Sequence, residues 1–389
     1  MAMETKTHPA VQDCDLGHGL FITEDWRSAW SNYESPPNNP TLIDPLTGHA
    51  EYLIDEIEGI VPDDLVGTLY RNGPGLFGRG SERAQHILDA DGLVCSITFP
   101  SKQESRQQRE FTFRSRFVQT KAFKEEQQAD QFLHRSVFGT GPAAFFDFHQ
   151  KKGLNSDPTK RSMLSKLFGM FGNIHIKNSA NTQAICFGGK LLALFEAGLP
   201  HSLDPKTLKT LEEDNLGGIL KQGPPVKFAG EAQKFQPDFL GGDAHTAHPK
   251  VCPKTGNLVG WHWSQQVPAS EGMKFTLTEW SPDGFRPVAS SSFSLPGCEV
   301  APHDMAITEN FVVLKVNAFK IDQVPFLLGV KGPAASMKMD GHSPATVWIV
   351  PRPTSKHQVD PFPVQVPPCF SIHFSHGYED FLFVSFYDW

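Results

Sequence analysis

The chain has 389 residues, a formal net charge of -8, a pI near 6.0 and no basic block, which argues against a nucleic-acid partner. Six cysteines are scattered without a CxxC pair, so neither a zinc ribbon nor a disulfide framework is expected. The N-terminus lacks the charged and apolar blocks of a secretion signal, and no run approaches the roughly 18 apolar residues of a membrane span. The expected setting is a reducing, aqueous compartment. The 31 phenylalanines against 5 tyrosines suit ordinary core packing and would also suit an apolar cavity.

In chain order, short apolar or alternating runs alternate with turn formers. Strands are predicted at LVCSITFP, FTFRSRFVQ, TQAICFGG, LLALFE, NLVGWHW, FTLTEW, FVVLKVNAF, TVWIVPR and FLFVSFYDW. Between them stand DPLTG, DADG, CPKTGN and SPDG, which read as turns. Helical periodicity is confined to DDLVGTLY, SMLSKLFGMF and KTLKTLEED. Many short strands with hairpin turns predict an all-β sandwich, barrel or propeller. The expected organisation is an N-terminal extension over 1–45 and a single domain over 46–389, with an insertion-rich middle at about 120–180.

Three histidines end short apolar runs beside a proline or a turn: His248 in TAHPK, His303 in PHDMAITEN and His373 in IHFSHGYED. They are 55 and 70 residues apart, roughly a four-stranded blade plus loops. In a propeller the inner strand of each blade faces the axis, so one inward histidine per blade would converge there. His245 and His376 each stand three residues from a chosen histidine, and on an extended segment they point to the opposite face.

Six segments, LVGTLYRNGPGLF, HILDADGLV, KNSANTQAICFGGKLLALFEAGLPHSLDPKTLKT, TAHPK with PKTGNL, PHDMAITENFVVL and IHFSHGYED, together resemble the carotenoid cleavage oxygenases, in order from about residue 50 to the end. The resemblance implies a seven-bladed β-propeller, with helical and loop insertions roofing an apolar tunnel over an axial Fe(II). It implies His248, His303 and His373 as metal ligands, and Glu196 of ALFEAG as the carboxylate that orients one imidazole, His303 being the expected partner. YRNGPG and DADG read as tight-turn and blade-closing elements, with Asp89 and Asp91 capping turns. Ala90 stands where the family has glycine, and His376 where it has asparagine. The family draws a fourth histidine and further glutamates from sequence following the YED motif. This chain runs only to Trp389, so the expectation is a propeller short of about two blades, weak in metal affinity and in solubility.

The implied activity is oxidative cleavage of a conjugated C=C bond in a carotenoid or apocarotenoid by O2, giving two carbonyl products. Two alternatives stay open: an O2-independent isomerase of the same family, and a metal-poor protein that only binds polyenes or partners. Carotenoids partition into membranes, and SMLSKLFGMFG sets Leu164, Leu167, Phe168 and Phe171 beside basic residues, as an interfacial helix would. Phe326 and Leu327 of VPFLLGV form a second apolar patch. A cytoplasmic or stromal protein, not secreted and resting peripherally on a membrane, is the corresponding expectation.

Overall fold

A computed structural model describes residues 44, 46–84, 86–101, 110–138, 176–238, 240–267, 272–322, 325–326, 331–357, 359–380 and 383–388. All of them belong to the unit Ile43–Trp389. The architecture is a succession of local antiparallel sheets. The first has the order Ala50–Ile54, Phe111–Phe117, Asp91–Phe99, Gly67–Leu76. The second is a meander of Gln183–Phe187, Lys190–Leu194, His201–Leu203 and Thr210–Glu213.

The third sheet is built on Leu258–Val267, Met273–Ser281 and Arg286–Ser294. Two very short strands, Ala244–His245 and Lys250–Val251, pair with its first member, and Val226–Phe228 adds to it in parallel. The fourth runs Met305–Ile307, Phe311–Val316, Ala345–Pro351, Phe362–Val366. A hairpin of Phe374–Asp380 and Phe383–Asp388 follows.

The period-2 alternation of strand side chains makes these sheets stack. Leu191 and Ala193 face the first sheet and pack with Val94 and Val118, whereas Leu192 and Leu194 face the third and pack with Leu258 and Trp280. The strand Met273–Ser281 repeats the device. Phe275 and Leu277 meet Val312, Leu314 and Trp348 of the fourth sheet, while Trp280 turns back towards the second. On the fourth sheet, Val313 and Val347 reach Phe374 of the final hairpin. Four apolar clusters thus lie between consecutive sheets; strands inside a sheet, such as Lys190–Leu194 and Phe311–Val316, are buried on both faces, whereas the edge strand Arg286–Ser294 is largely exposed. This is why FVVLKV and TVWIV read as near-continuous apolar runs.

All nine predicted strands are strands, with FVVLKVNAF divided into Phe311–Val316 and Phe319–Ile321. Two predicted helices are not helices. DDLVGTLY enters the strand Gly67–Leu76, and KTLKTLEED is a turn running into Thr210–Glu213, because strand pairing overrides their weak local periodicity. SMLSKLFGMF lies outside the described residues. The sequence reading missed the helix Lys121–Ala129, which Thr120 caps by accepting the Phe123 N–H at 3.0 Å.

YRNGPG is likewise part of a strand and not a tight turn. Gly75 sits at a register shift, where a Cβ would lie 2.3 Å from that of Leu93. Asp89 and Asp91 do more than cap turns. Asp89 accepts the N–H groups of Val137 and Phe138, at 3.1 and 3.0 Å. Asp91 is fully buried between Arg79 Nη2 at 2.9 Å and Lys177 Nζ at 2.8 Å, and Lys177 also meets buried Glu126 at 2.7 Å. Two cations and two anions balance there, which is what makes burial of four charges tolerable.

A second buried ion pair ties the third sheet to the fourth. Arg352 grips Glu279 through Nε at 3.1 Å and Nη2 at 2.7 Å, and its Nη1 donates to the carbonyl of Thr308 at 2.9 Å. Burial alone would raise the Glu279 pKa, but the hydrogen bonds from Arg352 and Thr354 outweigh it and hold the carboxyl below its ordinary 4.5. A carboxyl depressed on folding contributes stability that is present above its unfolded pKa and is lost as pH falls through the folded value. Denaturant midpoints should therefore fall on acidification below about pH 4.5, and Glu279→Gln should make that fall shallower. Glu279→Ala, which strands Arg352, should destabilise by about 3–5 kcal/mol. An unchanged acid slope in Glu279→Gln would remove this pair from the account.

Candidate metal centre

Each of the three histidines stands one or two residues before a strand. His248 lies in the gap between Ala244–His245 and Lys250–Val251, and Pro249, which has no N–H to donate, helps break the strand there. The Thr246 hydroxyl accepts the His248 N–H at 3.1 Å and fixes the bend. His303 follows Pro302 and precedes Met305–Ile307 by two residues, and His373 immediately precedes Phe374–Asp380. The three histidines therefore come from the third sheet, the fourth sheet and the final hairpin.

The three rings meet. Their centroids are 4.6 Å apart for His248 and His303, 4.8 Å for His248 and His373, and 5.0 Å for His303 and His373. One potential ligand atom from each lies within 4.8 Å of the others. His248 and His303 face each other through Nε2 at 3.0 Å. Two nitrogens each about 2.1 Å from one ion, at a right angle, would be separated by roughly that distance.

Glu196 lies just past Lys190–Leu194, and its Oε1 accepts from His303 Nδ1 at 2.9 Å. With that proton held outward, the lone pair of His303 Nε2 faces the other rings. The Glu196 main-chain carbonyl accepts from Trp263 Nε1 at 3.1 Å, and Thr182 Oγ1 reaches its Oε2 at 3.5 Å, so the carboxylate is held in turn.

Burial and the neighbouring carboxylate act in opposite directions on His248 and His303. Burial, reinforced by the neighbouring His303, pushes His248 down to about 4, so it presents an unprotonated nitrogen at neutral pH. Burial also opposes charge on His303, but the Glu196 carboxylate outweighs it and the net shift is upward. For Glu196 burial would raise the pKa, and the His303 hydrogen bond prevails to lower it. A set of three imidazoles with one carboxylate behind them suits a divalent first-row metal such as iron.

The neighbouring histidines go elsewhere. His245 is buried in the third sheet opposite His262, edge-on to Trp280, with no hydrogen-bond partner at either ring nitrogen among the described residues. His376 is exposed beside the Ser375 hydroxyl. Of the proposed membrane-facing residues, Phe326 is half-buried, while Leu164, Leu167, Phe168, Phe171 and Leu327 lie outside the described residues. Among the described residues no helix is long and apolar enough to cross a membrane. Sequence reasoning passed over Lys250 and Asp304, charged residues beside two of the histidines in HPK and HDM. Their signal was that adjacency.

The comparisons agree on a single family. The family model of retinal pigment epithelial membrane protein matches residues 45–387. Apocarotenoid-15,15'-oxygenase of Synechocystis sp. is 30% identical over 332 residues, covering 85% of this chain and 57% of its own length. Carotenoid cleavage dioxygenase 7, chloroplastic, of Oryza sativa subsp. japonica is 27% identical over 83% of this chain and 53% of its own. Isoeugenol monooxygenase of Pseudomonas nitroreducens is 26% identical over 72% of this chain and 47% of its own. The chain thus spans about half the length of these curated relatives. A crystal structure of cobalt-substituted Synechocystis apocarotenoid oxygenase superposes with a TM-score of 0.65 at 28% identity, covering 86% of this chain and 59% of that one. Its propeller-type fold matches the stacked sheets. The chain belongs to the retinal pigment epithelial membrane protein family, that of the carotenoid oxygenases.

Proposed function

We propose that the chain forms the metal-binding part of a non-haem Fe(II) oxygenase that cleaves a conjugated C=C bond of a carotenoid or apocarotenoid with O2. Both oxygen atoms end in the products, one in each of two carbonyl groups. The observation that carries this reading is the convergence of His248, His303 and His373 from three successive parts of the sheet series. In this reading the sheets are consecutive blades of a seven-bladed propeller whose axis passes through the histidines. Iron bound by the three imidazoles would supply the activation of dioxygen.

The protein's own groups set up that chemistry. Glu196 fixes the tautomer and angle of His303 through Nδ1. His248 stays unprotonated and needs no proton removed before binding. The reaction moves no net proton, so it requires no acid–base pair or nucleophilic triad. Regiochemistry would come from how deeply an apolar tunnel admits the polyene, because alignment of one double bond against the metal selects the reacting carbons.

Each of His248→Ala, His303→Ala and His373→Ala should abolish iron retention, whereas His245→Ala and His376→Ala should spare it. Iron at the wild-type level in His303→Ala would overturn the ligand assignment. Glu196→Gln, which keeps the shape but loses the charge behind His303, should weaken metal binding 10–100-fold. An affinity equal to wild type would leave Glu196 as a bystander. Consumption of O2 in step with polyene loss separates cleavage from isomerisation.

We also propose peripheral membrane contact through the apolar and basic segment around Leu164, Leu167, Phe168 and Phe171, with Phe326 and Leu327 as a second apolar patch. In liposome co-sedimentation, the double variant Leu167→Glu/Phe168→Glu should bind less than wild type. Equal binding counts against docking through this segment.

A further inference from the structure

Three ligands on three separate parts of the fold can meet only if those parts are held in fixed relation. Glu196 orients one ring but does not bond the other two segments. One side chain does reach all three. Asp304 directly follows His303 and is almost fully buried, with its side chain 1% exposed. Its Oδ1 meets Lys250 Nζ at 2.8 Å and accepts the Met305 N–H at 2.7 Å. Its Oδ2 accepts the Phe374 N–H at 3.0 Å and lies 3.4 Å from His373 Nδ1. Lys250 stands two residues after His248, and Phe374 is the residue after His373.

We propose that Asp304 is a positioning residue: its carboxylate, charge-balanced by Lys250, locks the three histidine-bearing segments together and holds the His373 ring by Nδ1. The inference rests on the three-histidine metal reading. A carboxylate is suited to this task because it offers two oxygens and several lone pairs, and so can accept from two backbone N–H groups, an imidazole and an ammonium at once. Lys250 compensates the buried negative charge, which would otherwise be left unpaired when the metal is absent. His373 is the ring that needs such a hold, since its side chain is half exposed at 49%. With Nδ1–H directed at Asp304, Nε2 is left as the donor nitrogen, as Glu196 achieves for His303.

The carboxylate also explains why the pair is not interchangeable. Lysine at 304 could accept none of these N–H groups, so exchanging the two charges preserves the net charge and loses every backbone contact. Lys250, by contrast, contributes only a cation, and arginine at 250 can supply the same one.

The test uses the full 389-residue chain at pH 8 with two readouts. Imidazole nitrogen NMR of the metal-free protein reports the His373 tautomer, and competition against a chelator reports Co(II) affinity. Wild type should show His373 protonated at Nδ1. Asp304→Asn should mix or reverse that tautomer and weaken Co(II) binding at least tenfold. Lys250→Met should weaken Co(II) binding to a similar degree, and Lys250→Arg should restore it. Melting temperatures of each variant accompany the titrations, which are made well below melting. Variants that melt earlier yet keep the wild-type tautomer and Co(II) affinity would reduce Asp304 to a structural residue and overturn the inference. If Asp304→Asn does not fold, the Lys250→Met and Lys250→Arg comparison decides it. A wild-type chain that takes up no Co(II) would instead remove the metal reading, and the tautomer comparison would then judge the Asp304 contact alone.

Discussion

The geometry of the histidine cluster depends on the burial of both faces of the middle strands. Each sheet is glued to the next by side chains of alternate parity, Leu191 and Ala193 on one side and Leu192 and Leu194 on the other. The same holds where Phe275 and Leu277 meet Leu314 and Trp348. Apolar packing of this kind is close to crystalline in density and tolerates little sliding. It therefore fixes where the strands begin, and His248, His303 and His373 stand just before strand starts. Packing sets the coarse position, to within a side chain's reach, and polar contacts do the rest. Arg352 with Glu279 clamps the third and fourth sheets, and Glu379 bonds the N–H of Asn310 at 2.6 Å to clamp the final hairpin to the fourth.

The site is polar only where it must be. Three rings converge at half-buried to exposed positions, and the groups that orient them lie on the far side, away from the ring nitrogens that face one another. Glu196 and Asp304 perform parallel tasks through the outer nitrogens of His303 and His373. His248 has no carboxylate on its outer nitrogen among the contacts described. Its position comes from the break at Pro249 and from Thr246. The three histidines are thus placed by three different local devices, and the shared result is three rings whose nitrogens meet within 4.8 Å.

Much of this was legible in the sequence. Strands with strong alternation or continuous apolar runs were readable because burial imposes period 2 on them. Strand parity separated His248 from His245 and His373 from His376. The resemblance to the carotenoid oxygenases supplied Glu196, which spacing alone would have left as a strand-end acid. Failures arose where local pattern and tertiary pairing disagree. DDLVGTLY and KTLKTLEED carry a weak helical period, but their residues pair in sheets. DADG looks like a turn, yet Asp91 serves a buried ion network whose partners, Arg79, Glu126 and Lys177, are spread over about a hundred residues of chain. Asp304 showed in the sequence only its adjacency to His303, and its task stayed hidden for the same reason: its partners Lys250 and Phe374 lie on other elements, and only the fold brings them to one carboxylate.

The central claim is that three imidazoles from three parts of the sheet series hold one metal ion. X-ray absorption at the iron edge, on the chain reconstituted anaerobically with Fe(II), tests it most directly. The account predicts outer-shell scattering from about three imidazole rings, with iron–nitrogen distances near 2.1 Å. A spectrum of oxygen ligands only, without imidazole scattering, would contradict it.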